Sequence, residues 1–472
     1  MTRNRIGTQE YNSEFACCPW RREMVKMTRA RLDGLYLLLL GSVLFVSMGS
    51  VVEQTGSDMM ADFKLVYYRA RCLLQHGDPY KPSETLRAYR REGGKSSQSP
   101  GRPLQDLTPD VYPPTTSIFI APFAKLPWAP ASVLWMIFTA GSFILAAYLM
   151  WGLGADHAPV LSGCLVSFLL ANSISLLITG NPAGIAISLC MVAVWCFLRD
   201  RFVWAGILCL AVSLAVKPHD AGLVWLYFLL AGAPHRKRAL QSLAVTIVVS
   251  LLAVLWVGHV VPQWMQEWHA NVAALSAHGG FDDPEPASGY SHTAGMTIDL
   301  QSVISVFRND PRIYNPASYL ICGALLLLWS SATLLSRFSP ARATLALAAV
   351  VPLTLLVTYH RTYDAKLLLF AVPACAMLWA EGGLTGRLAL ATTAVGVVFT
   401  GDYPLTILYI LTKNPRWDTT GIFGKMLSVV LTQPVPLVLL MLGIFYLWVY
   451  IRYSSTSPRT VLESAVHPAQ EA

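Results

Sequence analysis

The amino-acid sequence predicts an all-α polytopic membrane protein, built as a bundle of about twelve transmembrane helices of roughly 20 residues each. Hydrophobic residues make up 54% of the 472 residues and charged residues 13%, which is about half the share that is usual in soluble proteins. The mean hydropathy is +0.48. This composition excludes a soluble enzyme, a disordered chain and a nucleic-acid-binding protein. The net charge of +8 instead indicates contact with an anionic membrane surface or an anionic lipid.

Twelve apolar runs account for the predicted spans. Several of them are short, and short or broken spans are tolerated where they line a cavity, because lipid cannot satisfy free backbone groups. The runs lie near residues 32–52, 129–151, 160–179, 183–198, 202–217, 219–232, 239–261, 317–336, 342–359, 365–381, 387–403 and 427–451.

The distribution of basic residues predicts the orientation of these spans. If the basic N-terminal tail is cytoplasmic, the short inner loops carry eight Lys and Arg residues and the short outer loops carry three. We therefore expect cytoplasmic tails at 1–31 and 452–472 and a membrane domain at 32–451, with large outer loops at 53–128 and 262–316. The long charged lead before the first span is atypical of a cleaved signal peptide. The predicted location is the plasma (inner) membrane.

After the first span, residues 57–76 show apolar side chains at i, i+3, i+4 and i+7, with Lys64, Arg69 and Arg71 off this stripe, which predicts an amphipathic helix lying on the outer leaflet. Asp58 has the type and position of the helix N-cap. Asp62 lies at the expected lipid–water boundary. Its carboxylate is either a general base for a hydroxyl group or a helix-start acid that the helix dipole stabilises.

Two predicted outer turns are rich in charge. Lys217 ends a span beside Pro218, so its ammonium group either reaches back to the interface or binds an anion such as a lipid phosphate. The turn at 360–366 contains His360, Arg361 and Lys366. These side chains are either exposed loop charges, or Arg361 and Lys366 bind phosphate while His360 orients or protonates a leaving oxygen.

Three further features belong to the predicted outer face. Asn181 lies between Gly180 and Pro182 and is either a turn former or a site residue. The segment that begins at Tyr112 is apolar but broken by prolines, which predicts a re-entrant or interfacial hairpin rather than a span. The loop at 262–316 carries tryptophans, histidines and aspartates that suit a sugar site, although their spacing is unspecific. The nine cysteines form no CxxC pair and no zinc spacing, so neither disulfides nor a structural metal are predicted.

The order of these motifs resembles glycosyltransferase family 87, whose members are polytopic enzymes of the GT-C fold, and the resemblance covers about residues 30–450. Two features differ from the family pattern: Gly180–Asn181 stands where Gly-Gln is usual, and His219–Asp220 stands where a less polar pair is usual. The matching motifs are Asp62–Phe63, Tyr67–Tyr68–Arg69–Ala70, Gly77–Asp78–Pro79–Tyr80, Tyr112–Pro113–Pro114, Pro122, Leu126–Pro127, Gly180–Asn181, Ala205–Gly206, Lys217–Pro218 and the turn from His360 to Tyr363.

The resemblance implies a GT-C-like bundle and an inverting transfer of a hexose from a polyprenyl-phosphate sugar. The sugar is mannose or, in some members, arabinofuranose. The acceptor would be a hydroxyl group of a lipid-linked glycan or polysaccharide on the outer face, with membrane lipids as partners and no nucleic acid. Asp62 matches the family's catalytic base, and no metal or other cofactor is required. The residues expected to bind substrate are Lys217, His219, His360, Arg361, Lys366, Asn181, Tyr67 and Tyr112.

Three other functions make different predictions for the sequence. A transporter or flippase of lipid-linked sugars predicts charges within the spans and a detectable repeat. A polysaccharide polymerase or ligase would rely on arginines and a histidine in its large outer loop, whereas the loop at 262–316 has only Arg308 and Arg312, both near its end. A purely structural membrane protein leaves the clustering of polar groups unexplained.

Overall fold

The structure is a computed structural model that describes residues 28–55, 60–92, 110–278, 280, 282–284, 297–412 and 421–455. Most of both predicted tails, Asp58, part of the loop at 262–316 and the two N-terminal cysteines therefore lie outside the described residues. The seven cysteines within them are free.

The described chain is helical, which confirms the predicted all-α class. Proline stands at the start of α3, α4, α6 and α10, where its missing N–H costs nothing. The helices of the first half are α1 Arg29–Thr55, α2 Ala61–Leu74, α3 Pro82–Arg91, α4 Pro114–Ala124, α5 Trp128–Gly154, α6 Pro159–Ala171, α7 Ser175–Thr179, α8 Ala183–Leu198, α9 Val203–Val216 and α10 Pro218–Leu230.

The second half follows the same pattern. Asp299 and Asp310 cap α13 and α14 by accepting backbone N–H bonds from Ser302 and Arg312. The helices are α11 His235–Val260, α12 Trp264–Ser276, α13 Leu300–Phe307, α14 Pro311–Leu335, α15 Pro340–Val357, a 3₁₀ helix Asp364–Phe370, α16 Ala371–Glu381, α17 Gly383–Phe399, α18 Asp402–Thr412, α19 Ile422–Thr432 and α20 Pro434–Ser455.

The number of helices that can cross a membrane is smaller than the number of apolar runs. Within the described ranges, seven helices are long and apolar enough, and the pair α17–α18, bent by 68°, makes an eighth candidate. The protein is thus polytopic. All twelve predicted runs coincide with helices, but α8, α9 and α10 have only 13 to 16 residues, or about 20–24 Å at 1.5 Å per residue. Twelve spans therefore stays a prediction.

Burial separates the centre of the bundle from its rim. α15 and α16 lie at the centre, and 72% of the apolar window of α15 is buried. By contrast, only 11% of the apolar window of α11 and 22% of that of α14 are buried. Their outward side chains are exposed leucines such as Leu255 and Leu320, which suits contact with lipid acyl chains. The short helices α8 to α10 pack inside this rim.

The predicted amphipathic helix is present as α2, and its apolar stripe is buried. Two details differ from the prediction. The helix begins at Ala61 with Met60 at the N-cap position, so Asp58 is not its N-cap. Arg69, predicted to lie off the apolar stripe, is 4% exposed and forms an ion pair with Asp110. The reason is that α3 and α4 pack against α2, so this helix is enclosed on more than one side.

The proline-broken segment after Tyr112 forms one helix, α4, and not the two limbs of a hairpin. It ends at Ala124, and a short turn leads directly into α5. α4 packs against α2, α9 and α11. Its second proline, Pro122, lies inside the helix. α4 is 11 residues long, and at about 1.5 Å per residue it is too short to cross a membrane alone.

Candidate active site

Five separate segments bring polar side chains to one place. They are the first turn of α2, the residues before α4, the turn between α7 and α8, the turn between α9 and α10, and the turn after α15. Hydrogen bonds, ion pairs and ring contacts join the segments into one cluster. The members of this polar cluster are Asp62, Tyr112, Asn181, Lys217, His219, Asp220, His360, Arg361, Tyr363 and Asp364.

The Asn181 amide is the meeting point of three oxygens. Its Nδ2 lies 2.8 Å from Asp62 Oδ2, 3.0 Å from Tyr112 Oη and 2.9 Å from Tyr363 Oη. Its Oδ1 accepts the backbone N–H of Ala183 at 2.9 Å, which fixes the amide orientation. An amide nitrogen carries two hydrogens, so three oxygens compete for two protons. A hydroxyl group from a bound molecule can therefore enter this network as a further donor.

The local sequence explains how Asn181 reaches Asp62. Gly180 has a positive φ of 61°, and a Cβ atom there would lie 2.8 Å from Phe63 Cβ, so only glycine suits this turn. Trp135 donates its indole N–H to Gly180 O at 2.8 Å. The same Trp135 ring stacks on Phe63 with 4.6 Å between centroids. The turn is thus fixed against the first residues of α2.

Tyr112 is held by a buried ion pair. Arg69 Nη1 lies 3.0 Å from Asp110 Oδ1, and both side chains are 5% exposed. Asp110 Oδ1 also accepts the backbone N–H of Tyr112 at 2.9 Å. Arg69 therefore ties α2 to the segment that carries Tyr112, although sequence analysis had placed it off the buried face. Removing one partner of such a pair leaves an uncompensated buried charge.

Asp62 has the electrostatic character of a base. Burial raises the pKa of its carboxyl group above the ordinary aspartate value. The hydrogen bond from Asn181 and the charges of Arg361, Lys217 and Arg69 act in the opposite direction but do not outweigh burial. A raised pKa moves a carboxylate towards the range in which a general base works best near neutral pH. Its side chain is only partly buried, so a substrate can reach it.

A group of charged side chains around Lys217 adjoins the Asn181 network through Tyr363. The Lys217 ammonium contacts Asp364 Oδ1, lies 3.5 Å from Asp220 Oδ2 and sits 5.0 Å from the centroid of the Tyr363 ring. Lys217, Asp220 and Asp364 are at most 5% exposed. The ammonium is therefore already paired with two carboxylates.

Two histidines flank Asp220. Its Oδ1 lies 3.3 Å from His360 Nε2 and 3.8 Å from His219 Nε2. The two imidazole rings meet edge to face with 4.9 Å between centroids. His360 is 1% exposed, whereas the His219 side chain is 43% exposed. The cluster therefore opens towards solvent at His219.

Arg361 brings a second cation to the cluster. Its backbone N–H donates to Asp364 Oδ2 at 3.0 Å, and its Nε donates to Tyr359 Oη. Its guanidinium group acts more strongly on Asp62 than Lys217 does. It also acts on Asp282, whose pKa is nevertheless raised by burial. Arg361 is thus the cation with the strongest influence on the candidate base.

Two of the predicted substrate-binding residues lie apart from this cluster. Tyr67 is fully buried among aromatic rings, and its hydroxyl donates to Leu126 O at 2.6 Å. Lys366 is 1% exposed, and its ammonium donates to Asn172 O at 2.9 Å, Thr400 O at 2.8 Å and Asp402 Oδ1 at 3.1 Å. It satisfies carbonyl groups at the ends of α6 and α17, which have no partner in their own helices. Neither side chain faces the candidate base.

Three members of the cluster are not among the residues that the sequence predicts for the site: Asp220, which follows His219, and the pair Tyr363 and Asp364. Tyr363 contacts Asn181, and Asp364 contacts Lys217. Both belong to the charged turn that the sequence singled out, and that turn was the only signal for them. Asp364 and Lys217 are 147 residues apart, so their pairing depends on the tertiary fold.

An apolar cavity of about 460 Å³ opens beside the cluster. It lies between α4, α5, α8 and α9. Pro182 and Val216 line it, and they are the sequence neighbours of Asn181 and Lys217. The other lining residues are Thr116, Phe119, Ile120, Pro122, Phe123, Leu126, Leu134, Trp135, Phe138, Ile185 and Val212. A cavity of this size and lining suits a hydrocarbon chain.

Comparisons with known proteins give one result. The family model described as Glycosyltransferase family 87 matches residues 111–358, which is just over half of the chain. The match includes Tyr112, Asn181, Lys217, His219 and Asp220 and leaves Asp62 and the turn from His360 to Asp364 outside. No curated protein matches the chain, and no solved structure does.

Proposed function

Since the chain belongs to glycosyltransferase family 87 and is a membrane glycosyltransferase, we propose that its donor is a polyprenyl-phosphate sugar, with mannose as the sugar. The acceptor is a hydroxyl group of a lipid-linked glycan or polysaccharide. The observation that carries this proposal is the Asp62 carboxylate, partly buried with a raised pKa and bonded to Asn181, beside an apolar cavity.

The proposed reaction is a single displacement. Asp62 takes the proton of the acceptor hydroxyl as its oxygen attacks the anomeric carbon. The bond from that carbon to the phosphate oxygen breaks on the opposite face, so the configuration inverts. A positioned base contributes on the order of 10²–10⁴ to such a rate. We assign the departing phosphate to Arg361, because a guanidinium can bind phosphate through two N–H groups.

The apolar cavity supports a lipid-linked donor. Two of its lining residues, Pro182 and Val216, adjoin Asn181 and Lys217 in the sequence, so a prenyl chain lying there would present its phosphate near those two residues. A nucleotide-sugar has no hydrocarbon chain to place in the cavity. We place this site on the outer face of the plasma membrane with both termini cytoplasmic, the arrangement that the basic-residue distribution favours.

The test of this function is sugar transfer by the purified protein in lipid nanodiscs, with membrane lipids of the source cells as the acceptor pool. We expect transfer from polyprenyl-phosphate-mannose and none from GDP-mannose. A donor with a two-isoprene chain should be used with a KM at least about tenfold higher, because each buried CH₂ contributes about 0.8 kcal/mol. Transfer from the polyprenyl-phosphate-arabinose donor alone would show that the donor sugar is arabinose and not mannose. Transfer from neither lipid donor, or from the nucleotide sugar alone, would contradict the proposal.

Removal of the Asn181 amide should change how activity depends on pH. Asn181→Ala deletes the hydrogen bond that lowers the pKa of Asp62, so the carboxylate of the variant should protonate at higher pH. As pH falls, the variant should therefore lose kcat/KM at a higher pH than the wild type.

The matched control is Asn181→Gln, which keeps an amide donor and should keep the acidic limb close to that of the wild type. Both variants would be compared over the acidic to neutral range with the same donor. A uniformly lower rate with an unmoved acidic limb would show that Asn181 does not tune the titrating group.

A further inference from the structure

His219, Asp220 and His360 form a second functional group within the cluster, separate from the candidate base. One ligand atom from each, two imidazole nitrogens and one carboxylate oxygen, lies within 4.8 Å of the others. We propose that these three residues bind a divalent cation of the Zn²⁺ or Mn²⁺ class. The proposal concerns metal binding alone and does not depend on which sugar donor the enzyme uses.

The hydrogen bonding of His360 points to a cation. Its Nδ1 lies 2.8 Å from the carbonyl oxygen of Thr358, and a carbonyl oxygen can only accept, so Nδ1 carries a proton. In neutral imidazole the other nitrogen then carries a lone pair. That nitrogen, Nε2, lies 3.3 Å from Asp220 Oδ1. Two lone pairs facing each other at this distance repel unless a proton or a metal ion lies between them, and the proposal assigns that place to a metal ion.

Burial makes this arrangement costly without a ligand. His360 Nε2 and both carboxylate oxygens of Asp220 are buried and have no hydrogen-bond partner with suitable geometry among the described residues. The His360 and Asp220 side chains are 1% and 0% exposed. A buried polar atom left without a partner costs free energy. A metal ion would satisfy Nε2 and Oδ1 together.

The distances fit a metal ion. Bonds of about 2.0–2.2 Å to nitrogen and carboxylate oxygen at tetrahedral angles separate neighbouring ligand atoms by about 3.4 Å. The separations of 3.3 Å from His360 and 3.8 Å from His219 to Asp220 Oδ1 are close to this value. The bond from His360 Nδ1–H to a carbonyl is also the second contact that metal-bound histidines usually make.

The local charge balance favours a cation. Lys217 contacts both Asp220 and Asp364, so one ammonium faces two carboxylates. The carboxyl group of Asp299 also interacts electrostatically with His360. This leaves an excess of negative charge around His360, which a divalent ion would offset. Two imidazoles and one carboxylate favour ions such as Zn²⁺ or Mn²⁺ over Ca²⁺, which prefers oxygen ligands.

The ion would keep an open coordination position. Three protein ligands leave a fourth position for water or another oxygen ligand, as in zinc sites that are not purely structural. His219 is 43% exposed and supplies the only ligand on the solvent side. An ion can therefore enter and leave past His219 without unfolding of the buried pair.

The test is direct metal binding by the full chain, purified without a polyhistidine tag, stripped with a chelator and held in nanodiscs. Co²⁺ would be added alone and followed by its visible absorption, and Zn²⁺ and Mn²⁺ would then be tested in competition. We expect one ion per chain. His219→Gln should weaken binding at least about tenfold, as the loss of even an outer contact does, and Asp220→Asn should abolish it.

The control is His259→Gln, which changes an exposed histidine at the end of α11 and should bind like the wild type. Because His219 is exposed, its variant should fold even if Asp220→Asn does not. Binding by the wild type that His219→Gln leaves unchanged would overturn the proposal. A wild-type protein that binds none of Co²⁺, Zn²⁺ and Mn²⁺ would also overturn the proposal. In that case His360 and Asp220 form an ion pair of an imidazolium and a carboxylate.

Discussion

Asp62→Asn should lower the rate of sugar transfer by at least about 100-fold while the protein remains folded in the membrane. Asparagine is nearly isosteric with aspartate and can accept the Asn181 hydrogen bond through its own carbonyl oxygen. It cannot take up the acceptor proton, so the loss should be that of a general base, about 10²–10⁴ in rate. The measurement is transfer from polyprenyl-phosphate-mannose in nanodiscs, with the variant and the wild type side by side.

Two further readouts separate loss of the base from loss of structure. Binding of the donor lipid should be nearly unchanged in Asp62→Asn, and so should the temperature of thermal unfolding. Asp58→Asn, which removes a carboxylate four positions earlier in the sequence, should have a much smaller effect. A wild-type rate in Asp62→Asn would remove this residue from catalysis. Asp364 would not be a simple replacement, because it is already bonded to Lys217 and to the backbone of Arg361.

The positions of the helices could be predicted from the sequence because hydropathy is a local signal. Each of the twelve apolar runs is helical, and the amphipathic stripe after the first span is buried as α2. The number of crossings could not be predicted in the same way. α8, α9 and α10 are apolar but shorter than a span, and short helices of this kind are tolerated in a membrane only where neighbouring helices enclose their ends.

The candidate site, too, could be predicted from the sequence only where the signal is local. The sequence indicated which turns carry unusual polar groups, and the structure brings most of these turns together. It could not indicate which side chains of a turn point inwards. Arg361 and Lys366 are five positions apart, yet Arg361 acts on Asp62 while Lys366 binds carbonyl groups elsewhere. Asn181 and Asp62 are 119 residues apart, and their contact depends on Gly180 packing against Phe63.

Lys217→Met should destabilise the fold by about 3 kcal/mol or more, because it leaves the carboxylates of Asp220 and Asp364 buried without their shared cation. The expected result is a lower temperature of thermal unfolding in detergent and a poor yield of inserted protein. Lys217→Arg is the matched control, since it keeps the positive charge, and it should be milder. A Lys217→Met protein as stable as the wild type would show that the buried carboxylates tolerate the loss, for example by binding protons.

The double variant Lys217→Met with Asp364→Asn separates a structural role of Lys217 from a direct role in catalysis. It removes one negative charge together with the positive one, so much of the lost stability should return. The ammonium is already paired with two carboxylates, so little of its charge is left for a leaving phosphate. We therefore expect the double variant to regain transfer with a donor KM near that of the wild type. A restored fold with a donor KM raised at least about tenfold would instead assign the phosphate to Lys217, since one decade corresponds to about 1.4 kcal/mol of binding.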